Sequence, residues 1–190
     1  MATLLDQLSA KVDQLADQLE GYKVEIVRGS IMMSPVRPFH GETIFELWAE
    51  LKPQLSPQWR LITDVASPVS VANSELCPDL ALIPEVEAAK NLSKYPPELI
   101  QLAIEVVSPG SRQRDYHDKA KLYAQIGVPV YAIFDPYARL CTVQHASDGA
   151  EYTRTDRLIY GQQAVLPTLV GEFSVDTATL PVDPAADDVD

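Results

Sequence analysis

A carboxylate lies in a near-continuous apolar stretch, LIQLAIEVV at residues 99–107. Such a run is typical of a central strand that is covered on both faces, and the carboxylate within it is Glu105. A second acid, Asp79, follows Pro78 and precedes the apolar run LALI. An ionised carboxylate is strongly disfavoured in a core, so each of these side chains needs a cation, a proton or a metal ion as its partner.

One partner could serve both acids. If the two strands lie in one sheet, Asp79 and Glu105 can meet at one of its ends, where a divalent cation would relieve their repulsion. Carboxylate oxygens are the ligands that Mg²⁺ and Mn²⁺ prefer. Spacing alone equally allows two carboxylates that cap loops or are held by arginine, so both interpretations stay open at this point.

The helix predicted after the Glu105 strand carries two lysines, of which one is expected to face the sheet. It runs from about residue 111 to 126 and ends before Gly127. Lys119 has Leu122 and Tyr123 one turn ahead, whereas Lys121 is surrounded by polar side chains. Lys119 therefore points towards the core and Lys121 towards water. Asp115, four residues before Lys119, could hold it in an ion pair, and a purely structural pair of this kind is the alternative to a catalytic lysine.

Two further polar positions could support such a site. His40 shares the apolar stripe of a helix that starts after Pro38, so it could contact a phosphate or a carboxylate; a hydrogen-bonded core histidine is the interpretation that the pattern favours. Ser108 precedes the helix that carries Lys119, where a capping role is expected and a supporting role in the site is the alternative.

The order of elements predicts one mixed α/β domain. The stretch YKVEIVRGSIMMSPV alternates as a β-hairpin around Arg28 and Gly29, and later apolar runs predict strands near residues 61–71, 76–84, 129–135 and 140–146. Strands, a strand–helix–strand unit and more strands indicate an α/β or α+β sheet with helices on its faces. Before them, residues 4–19 carry leucine or valine at steps of three and four, so a short helix could dock on the body or pair with a second copy.

Composition limits the class of protein. The net charge is −12, of which residues 1–20 carry −3 and residues 171–190 carry −6, so the remaining body is only mildly acidic. A local basic patch for nucleic acid can coexist with that charge. The chain has no apolar run of about eighteen residues, no secretory signal and only two distant cysteines, which together predict a cytoplasmic protein without a membrane span.

The chain resembles the Uma-two family of endonucleases, which are relatives of the restriction-endonuclease-like PD-(D/E)XK superfamily. The resemblance is carried by a hairpin with IMMSP, a histidine at a helix start, the sequence PDLAL, and finally IEVVSPGSRQRDYHDKAKLYAQIGVPVYAIFDP. It implies a restriction-endonuclease-like core, with a central mixed β-sheet of four or five strands, flanking helices and an N-terminal β-hairpin.

The resemblance also implies a site. The two motif acids match Asp79 and Glu105, which would bind Mg²⁺ or Mn²⁺ together with the backbone carbonyl of Val106. The motif lysine would fall two residues after Glu105, where this chain has Val107, and in the resembling family a helix-borne lysine that matches Lys119 takes its place. The reaction implied is hydrolysis of DNA phosphodiester bonds.

The expected organisation has three parts: an N-terminal amphipathic helix at residues 1–20, a nuclease domain at 21–175 and an acidic, disordered tail at 176–190. The first helix predicts a homodimer. Two other functions remain open: a binding or scaffold protein that keeps a nuclease fold without activity, and a phosphodiesterase that acts on RNA or small nucleotides.

Overall fold

The computed structural model describes residues 2–15, 18, 22–35, 37–108 and 110–183 of the chain. The α-helices are α1 Leu4–Leu15, α2 Pro38–Leu51, α3 Glu85–Ala88 and α4 Ala120–Gln125. The strands are β1 Tyr22–Val27, β2 Ser30–Pro35, β3 Trp59–Ile62, β4 Ser67–Val69, β5 Ser74–Leu76, β6 Leu80–Pro84, β7 Leu102–Val106, β8 Val130–Asp135, β9 Leu140–Ser147, β10 Tyr152–Ile159, β11 Gln163–Thr168 and β12 Gly171–Asp176.

A six-stranded mixed sheet forms the centre of the molecule, in the order β10-β9-β8-β7-β6-β3. Strands β7 and β8 run parallel, whereas the other neighbouring pairs are antiparallel. Every residue of β7 and β8 is buried, which explains their near-continuous apolar sequences. The expected mixed α/β fold is confirmed, although the central sheet has six strands where the resemblance implies four or five.

Both faces of the central sheet are covered. On one face, α2 and the hairpin β11–β12 pack on a core that includes Leu82, Ile104 and Phe134. On the other face, a second core contains Ala103, Tyr123 and Tyr131 and joins the sheet to α4 and the N-terminal strands. Because Glu105 alternates with Ile104 and Val106 along β7, its side chain lies on this second face.

The N-terminal hairpin belongs to a separate four-stranded sheet in the order β2-β1-β5-β4. Its turn is formed by Arg28 and Gly29, which both have positive φ, at 49° and 77°. Two consecutive positive φ values match the twist of paired antiparallel strands. Strand β1 pairs with β5 at Ile26 and Glu75. Because Val27 of the hairpin belongs to the second core, the hairpin lies on the second face of the central sheet and does not extend that sheet.

A π-helical segment, Arg114–Lys119, precedes α4 without a break. The sequence predicts one helix at about residues 111–126. The structure differs from this prediction in that the first half of the helix has the wider turn of a π-helix. In a π-helix the backbone N–H bonds to the carbonyl five residues back, which adds one residue to a turn and is frequent at functional sites. Asp115 and Lys119 both belong to this segment, and both are buried.

The two ends of the chain pack on the body where the structure describes them. Leu5 of α1 is buried, and Ser9 donates a hydrogen bond to Glu75 of β5 at 2.7 Å. At the other end, Leu180 and Asp183 are buried, so residues 177–183 pack on the body although they fall in the expected disordered tail. Residues 184–190 of that tail, and residues 1, 16–17 and 19–20 of the expected first helix, lie outside the described residues. No helix in the described ranges is long and apolar enough to cross a membrane.

Gly29→Ala tests the hairpin turn. Its φ of 77° disfavours any side chain, and an added Cβ would lie 3.3 Å from Leu4 Cδ2. We expect a loss of about 1 kcal/mol in the free energy of unfolding, seen as a fall of about 3 °C in the melting temperature. The control is Gly41→Ala in α2, where nothing lies within 4 Å of the new Cβ, and the greater helix propensity of alanine should raise stability. Equal melting temperatures for the two variants would contradict this account of the turn.

Candidate active site

Asp79 and Glu105 lie side by side at one end of the central sheet. Leu80 of β6 pairs with Ile104 of β7, so the residues just outside that pair, 79 and 105, are opposite each other. Both side chains are only 1% exposed. Asp79 Oδ2 accepts a hydrogen bond of 2.7 Å from the backbone N–H of Val106, which replaces a ladder bond where β6 has ended.

The Lys23 ammonium group joins these two carboxylates. Lys23 Nζ lies 2.6 Å from Asp79 Oδ1 and 2.8 Å from Glu105 Oε2. The lysine comes from β1 of the hairpin, whose alternation places Lys23 and Glu25 on the same face. The hairpin therefore brings a cation across the end of the central sheet, to the point where its two acids meet.

Lys119 lies beside this pair and makes three ion pairs of its own. Its Nζ is 2.7 Å from Glu25 Oε2, 3.0 Å from Glu105 Oε2 and 3.0 Å from Asp115 Oδ1. The side chain is 2% exposed, whereas that of Lys121 is 50% exposed and pairs with Glu151 at the surface. The helix periodicity thus predicts the orientation of both lysines correctly, and it also predicts the Asp115 partner.

Hydrogen bonds fix the other carboxylate oxygens. Glu105 Oε1 accepts from the Tyr123 hydroxyl at 3.2 Å, and Glu25 Oε1 accepts from the backbone N–H of Cys77 at 3.0 Å. Ser111 Oγ donates to Asp115 Oδ2. These bonds leave Asp79 Oδ1 and Glu105 Oε2 as the two oxygens that face each other across Lys23.

Negative charge outweighs positive charge in this cluster. Among the described residues, four buried carboxylates (Glu25, Asp79, Glu105 and Asp115) surround two ammonium groups (Lys23 and Lys119). Burial raises the pKa of Glu105 to about 8, against the opposing effect of Lys119 and Lys23 and with the help of Glu25 and Asp79. For Asp79, burial is outweighed by Lys23 and His40, which hold its pKa below the ordinary value. The carboxylates in turn overcome burial and raise the pKa of both lysines.

The site opens to solvent near Lys23 and His40. The Lys23 side chain is 12% exposed, whereas that of Lys119, the other lysine of the cluster, is 2% exposed. His40 Nε2 lies 3.3 Å from Asp79 Oδ2, and its buried Nδ1 meets no hydrogen-bond partner among the described residues. Asp64, on the exposed loop after β3, is close enough for the charges of Lys23, Asp79 and His40 to affect its pKa, which partial burial raises. Solvent therefore contacts the cluster on this side, at Lys23.

The structure brings together most of the side chains that the sequence singles out. Asp79, Glu105, Lys119, Asp115 and His40 form one cluster, and Val106 touches it through its backbone N–H. Ser108 is the exception, because its backbone N–H donates to Ser111 Oγ and it is Ser111 that reaches Asp115. Ser111, the other end of this turn, therefore makes the contact with Asp115, and Ser108 does not. The catalytic and metal-binding roles of these residues stay predictions.

Sequence reasoning did not find Lys23 and Glu25. Both lie in YKVEIV, where strict alternation puts them on one face of β1, opposite Val24 and Ile26. That pattern predicts that the two polar side chains lie on the same face of the strand, but it does not predict that this face is buried. Their burial is set by how the hairpin sits on the central sheet, which is a tertiary feature.

The cluster offers hard oxygen ligands in small number. Among the described residues, no three side chains from histidine, cysteine, aspartate and glutamate are arranged as a metal site. Two carboxylates, a strand carbonyl and water are nevertheless a donor set that suits Mg²⁺, because this ion keeps several waters and binds few protein ligands. The convergence of Asp79 Oδ1 and Glu105 Oε2 on one cationic group is the geometric feature that such an ion requires.

The fold is similar to that of a solved structure. A solved structure titled as a putative nuclease of the DUF820 group, from Anabaena variabilis, matches with a TM-score of 0.56 and 16% sequence identity, over 76% of this chain and 80% of that one. The Uma2 family, described as "Putative restriction endonuclease", matches residues 10–182. The chain belongs to this family, as its resemblance to the Uma-two endonucleases indicates. No curated protein matches the chain.

Lys119→Met tests whether the cluster depends on its central cation. Removing the ammonium group leaves Glu25, Glu105 and Asp115 with too little positive charge, so we expect a loss of about 3–5 kcal/mol in the free energy of unfolding. Denaturant titration measures it. Lys121→Met, two residues on and exposed, is the matched control and should stay within about 0.5 kcal/mol of wild type. Similar losses in the two variants would contradict the burial argument.

The pH dependence of stability tests the charge of Glu105. Its pKa is raised in the folded protein, so its contribution to stability is present below pH 4.5 and is lost as the pH rises through about 8. Glu105→Gln cannot ionise. In metal-free buffer we therefore expect the variant to gain stability relative to wild type between pH 5 and pH 9, by a few kcal/mol at most, since one pKa unit corresponds to about 1.4 kcal/mol.

The measurement is denaturant unfolding of both proteins at several pH values in that range. Tyr152→Phe serves as the control, because it removes a buried hydroxyl outside the cluster. Parallel pH profiles for wild type and Glu105→Gln would contradict a raised pKa at this position.

Proposed function

We propose that the protein is a metal-dependent endonuclease that hydrolyses phosphodiester bonds of DNA. The observation that carries the proposal is the meeting of Asp79 Oδ1 and Glu105 Oε2 at one cationic position, with the buried Lys119 ammonium 3.0 Å from the same Glu105 oxygen. Membership of a restriction-endonuclease family supports a nucleic acid as the substrate.

Asp79 and Glu105 are the residues that would hold the metal ion, either Mg²⁺ or Mn²⁺. The Val106 carbonyl is the third candidate ligand. The N–H of Val106 points to Asp79, and the N–H and C=O groups of one strand residue are directed to the same side, so the carbonyl faces the end of β6 as well. When bound, an ion of this kind acidifies a water molecule and neutralises charge on a phosphate oxygen.

Lys119 would act on the reacting groups from the inner side of the site. Its ammonium group is fixed by Glu25, Glu105 and Asp115, so it does not need to reorganise during the reaction. It would orient the attacking water or stabilise charge that develops on the phosphoryl oxygens. His40, at the opening, would hold Asp79 in place and could offer its free Nδ1 to a phosphate or to a bound water.

The assembly and the compartment belong to the same proposal. Leu4 and Leu15 of α1 are exposed, so this helix keeps part of its apolar stripe for a second copy, which supports a homodimer. Cys77 and Cys141 are free thiols among the described residues, in keeping with a reduced, cytoplasmic environment.

Glu105→Gln is the direct test of the proposed reaction. The variant keeps the shape of the side chain and loses the metal-binding charge, so we expect plasmid nicking in Mg²⁺ or Mn²⁺ to fall at least a hundredfold while the circular dichroism spectrum stays unchanged. Calorimetric titration of Mn²⁺ into both proteins checks the binding step, and wild type in EDTA is the control for metal dependence.

Equal Mn²⁺ binding by wild type and Glu105→Gln would remove Glu105 from the proposed ligands. Binding of Mn²⁺ by wild type without any nicking would favour a protein that has kept the nuclease fold as a binding module.

A further inference from the structure

Lys23 occupies the position at which a metal ion would bridge the two motif carboxylates. Its Nζ lies 2.6 Å from Asp79 Oδ1 and 2.8 Å from Glu105 Oε2. The other oxygens of these side chains face other partners, since Asp79 Oδ2 accepts from Val106 and lies 3.3 Å from His40 Nε2, and Glu105 Oε1 accepts from Tyr123. A cation that bridges Asp79 and Glu105 through their facing oxygens would therefore bind the same two oxygens that Lys23 binds.

We propose that Lys23 is a built-in competitor for the metal site, which must leave the two carboxylates before a divalent ion can bind them. This inference rests on the proposed function and adds a control on metal binding to it. An ammonium group and a divalent cation cannot both lie between the same two oxygens, because they would occupy the same space and repel each other strongly at that distance.

The two lysines of the cluster differ in their ability to move. Lys119 is the last residue of the π-helical segment, is 2% exposed and is held by three carboxylates. Lys23 is 12% exposed and lies near the start of β1, beside the exposed Tyr22. A lysine has a flexible stem of four carbons, so its tip can swing out of the opening without any change in the backbone.

An acceptor is available for the displaced group. Asp64 lies on the exposed loop after β3 and interacts electrostatically with Lys23, Asp79 and His40. Asp64 is thus a second carboxylate with which a displaced Lys23 ammonium could pair.

The ion pairs of Lys23 stabilise the protein when no divalent ion is bound. Without the Lys23 charge, Asp79 and Glu105 would face each other in a buried site with no cation between them. Lys23 thus keeps the hairpin and the central sheet together while it weakens metal binding. Removing its charge should have opposite effects on metal-free stability and on metal affinity.

Lys23→Met tests this opposition, because methionine keeps most of the aliphatic stem and lacks the charge. In calorimetric titrations without DNA, we expect the variant to bind Mn²⁺ at least tenfold more tightly than wild type. In EDTA its melting temperature should be lower than that of wild type, and Mn²⁺ should raise it more. Lys23→Arg, which keeps the charge, should bind Mn²⁺ as weakly as wild type, and Lys121→Met is the control for the loss of a surface lysine.

Equal or weaker Mn²⁺ binding by Lys23→Met would overturn the competition, and the proposed nuclease would stand if wild type binds Mn²⁺ and nicks DNA. Binding by Lys23→Met alone would support the competition even if wild type is inactive. If neither protein binds Mn²⁺, both proposals fail.

A measurement on wild type covers the case in which Lys23→Met does not fold. Titration with diamagnetic Mg²⁺, followed by NMR of the lysine side chains, should shift the Lys23 Nζ and Cε signals as the ion binds and leave those of Lys121 unchanged. A Lys23 signal that stays in place at saturating Mg²⁺ would overturn the proposal.

Discussion

The structure depends on one constraint, which is that several carboxylates are buried together and must be balanced by cations. Glu25, Asp79, Glu105 and Asp115 come from four separate segments of the chain, and each makes an ion pair with Lys23 or Lys119. An isolated buried charge would be strongly destabilising, so these segments can only fold as a group. The cluster thus joins the N-terminal hairpin, the central sheet and the helical segment that covers it.

The same arrangement accounts for the proposed chemistry. A negative excess that is useful for holding a divalent ion is unfavourable for the protein alone, and Lys23 and Lys119 reduce that conflict in different ways. Lys119 is enclosed and belongs permanently to the cluster. Lys23 is bound to the two oxygens that a metal ion would need and lies beside the opening. In our proposal, such a site would lose some metal affinity and gain stability in the absence of metal.

The sequence predicts the parts of this site that lie on strongly patterned elements. Glu105 and Asp79 are recognisable because each interrupts or begins an apolar strand, and Lys119 because it falls on the apolar side of a helix. The hairpin, the strands β7 and β8 and the start of α2 follow from the same local patterns. The resemblance to a known family then supplies the expected reaction, which no pattern of burial reveals.

The rest could not be predicted from local patterns, for physical reasons. Lys23 and Glu25 lie on one face of the alternating strand β1. Whether that face is buried depends on long-range packing of the hairpin against the central sheet, which the local pattern does not contain. The π-helical turn changes the spacing of side chains by one residue per turn, and a regular 3.6-residue period does not include it. The sequence pattern also does not predict β10, because this strand is exposed for most of its length and lacks a buried apolar face.

Crystallography with Mn²⁺ tests the central claim most directly, because the anomalous signal locates the ion without regard to activity. The account predicts one strong peak between Asp79 and Glu105, about 2.1 Å from an oxygen of each, with the Lys23 ammonium moved towards the opening. A crystal saturated with Mn²⁺ in which Lys23 still bridges the two carboxylates, with no peak beside them, would contradict it.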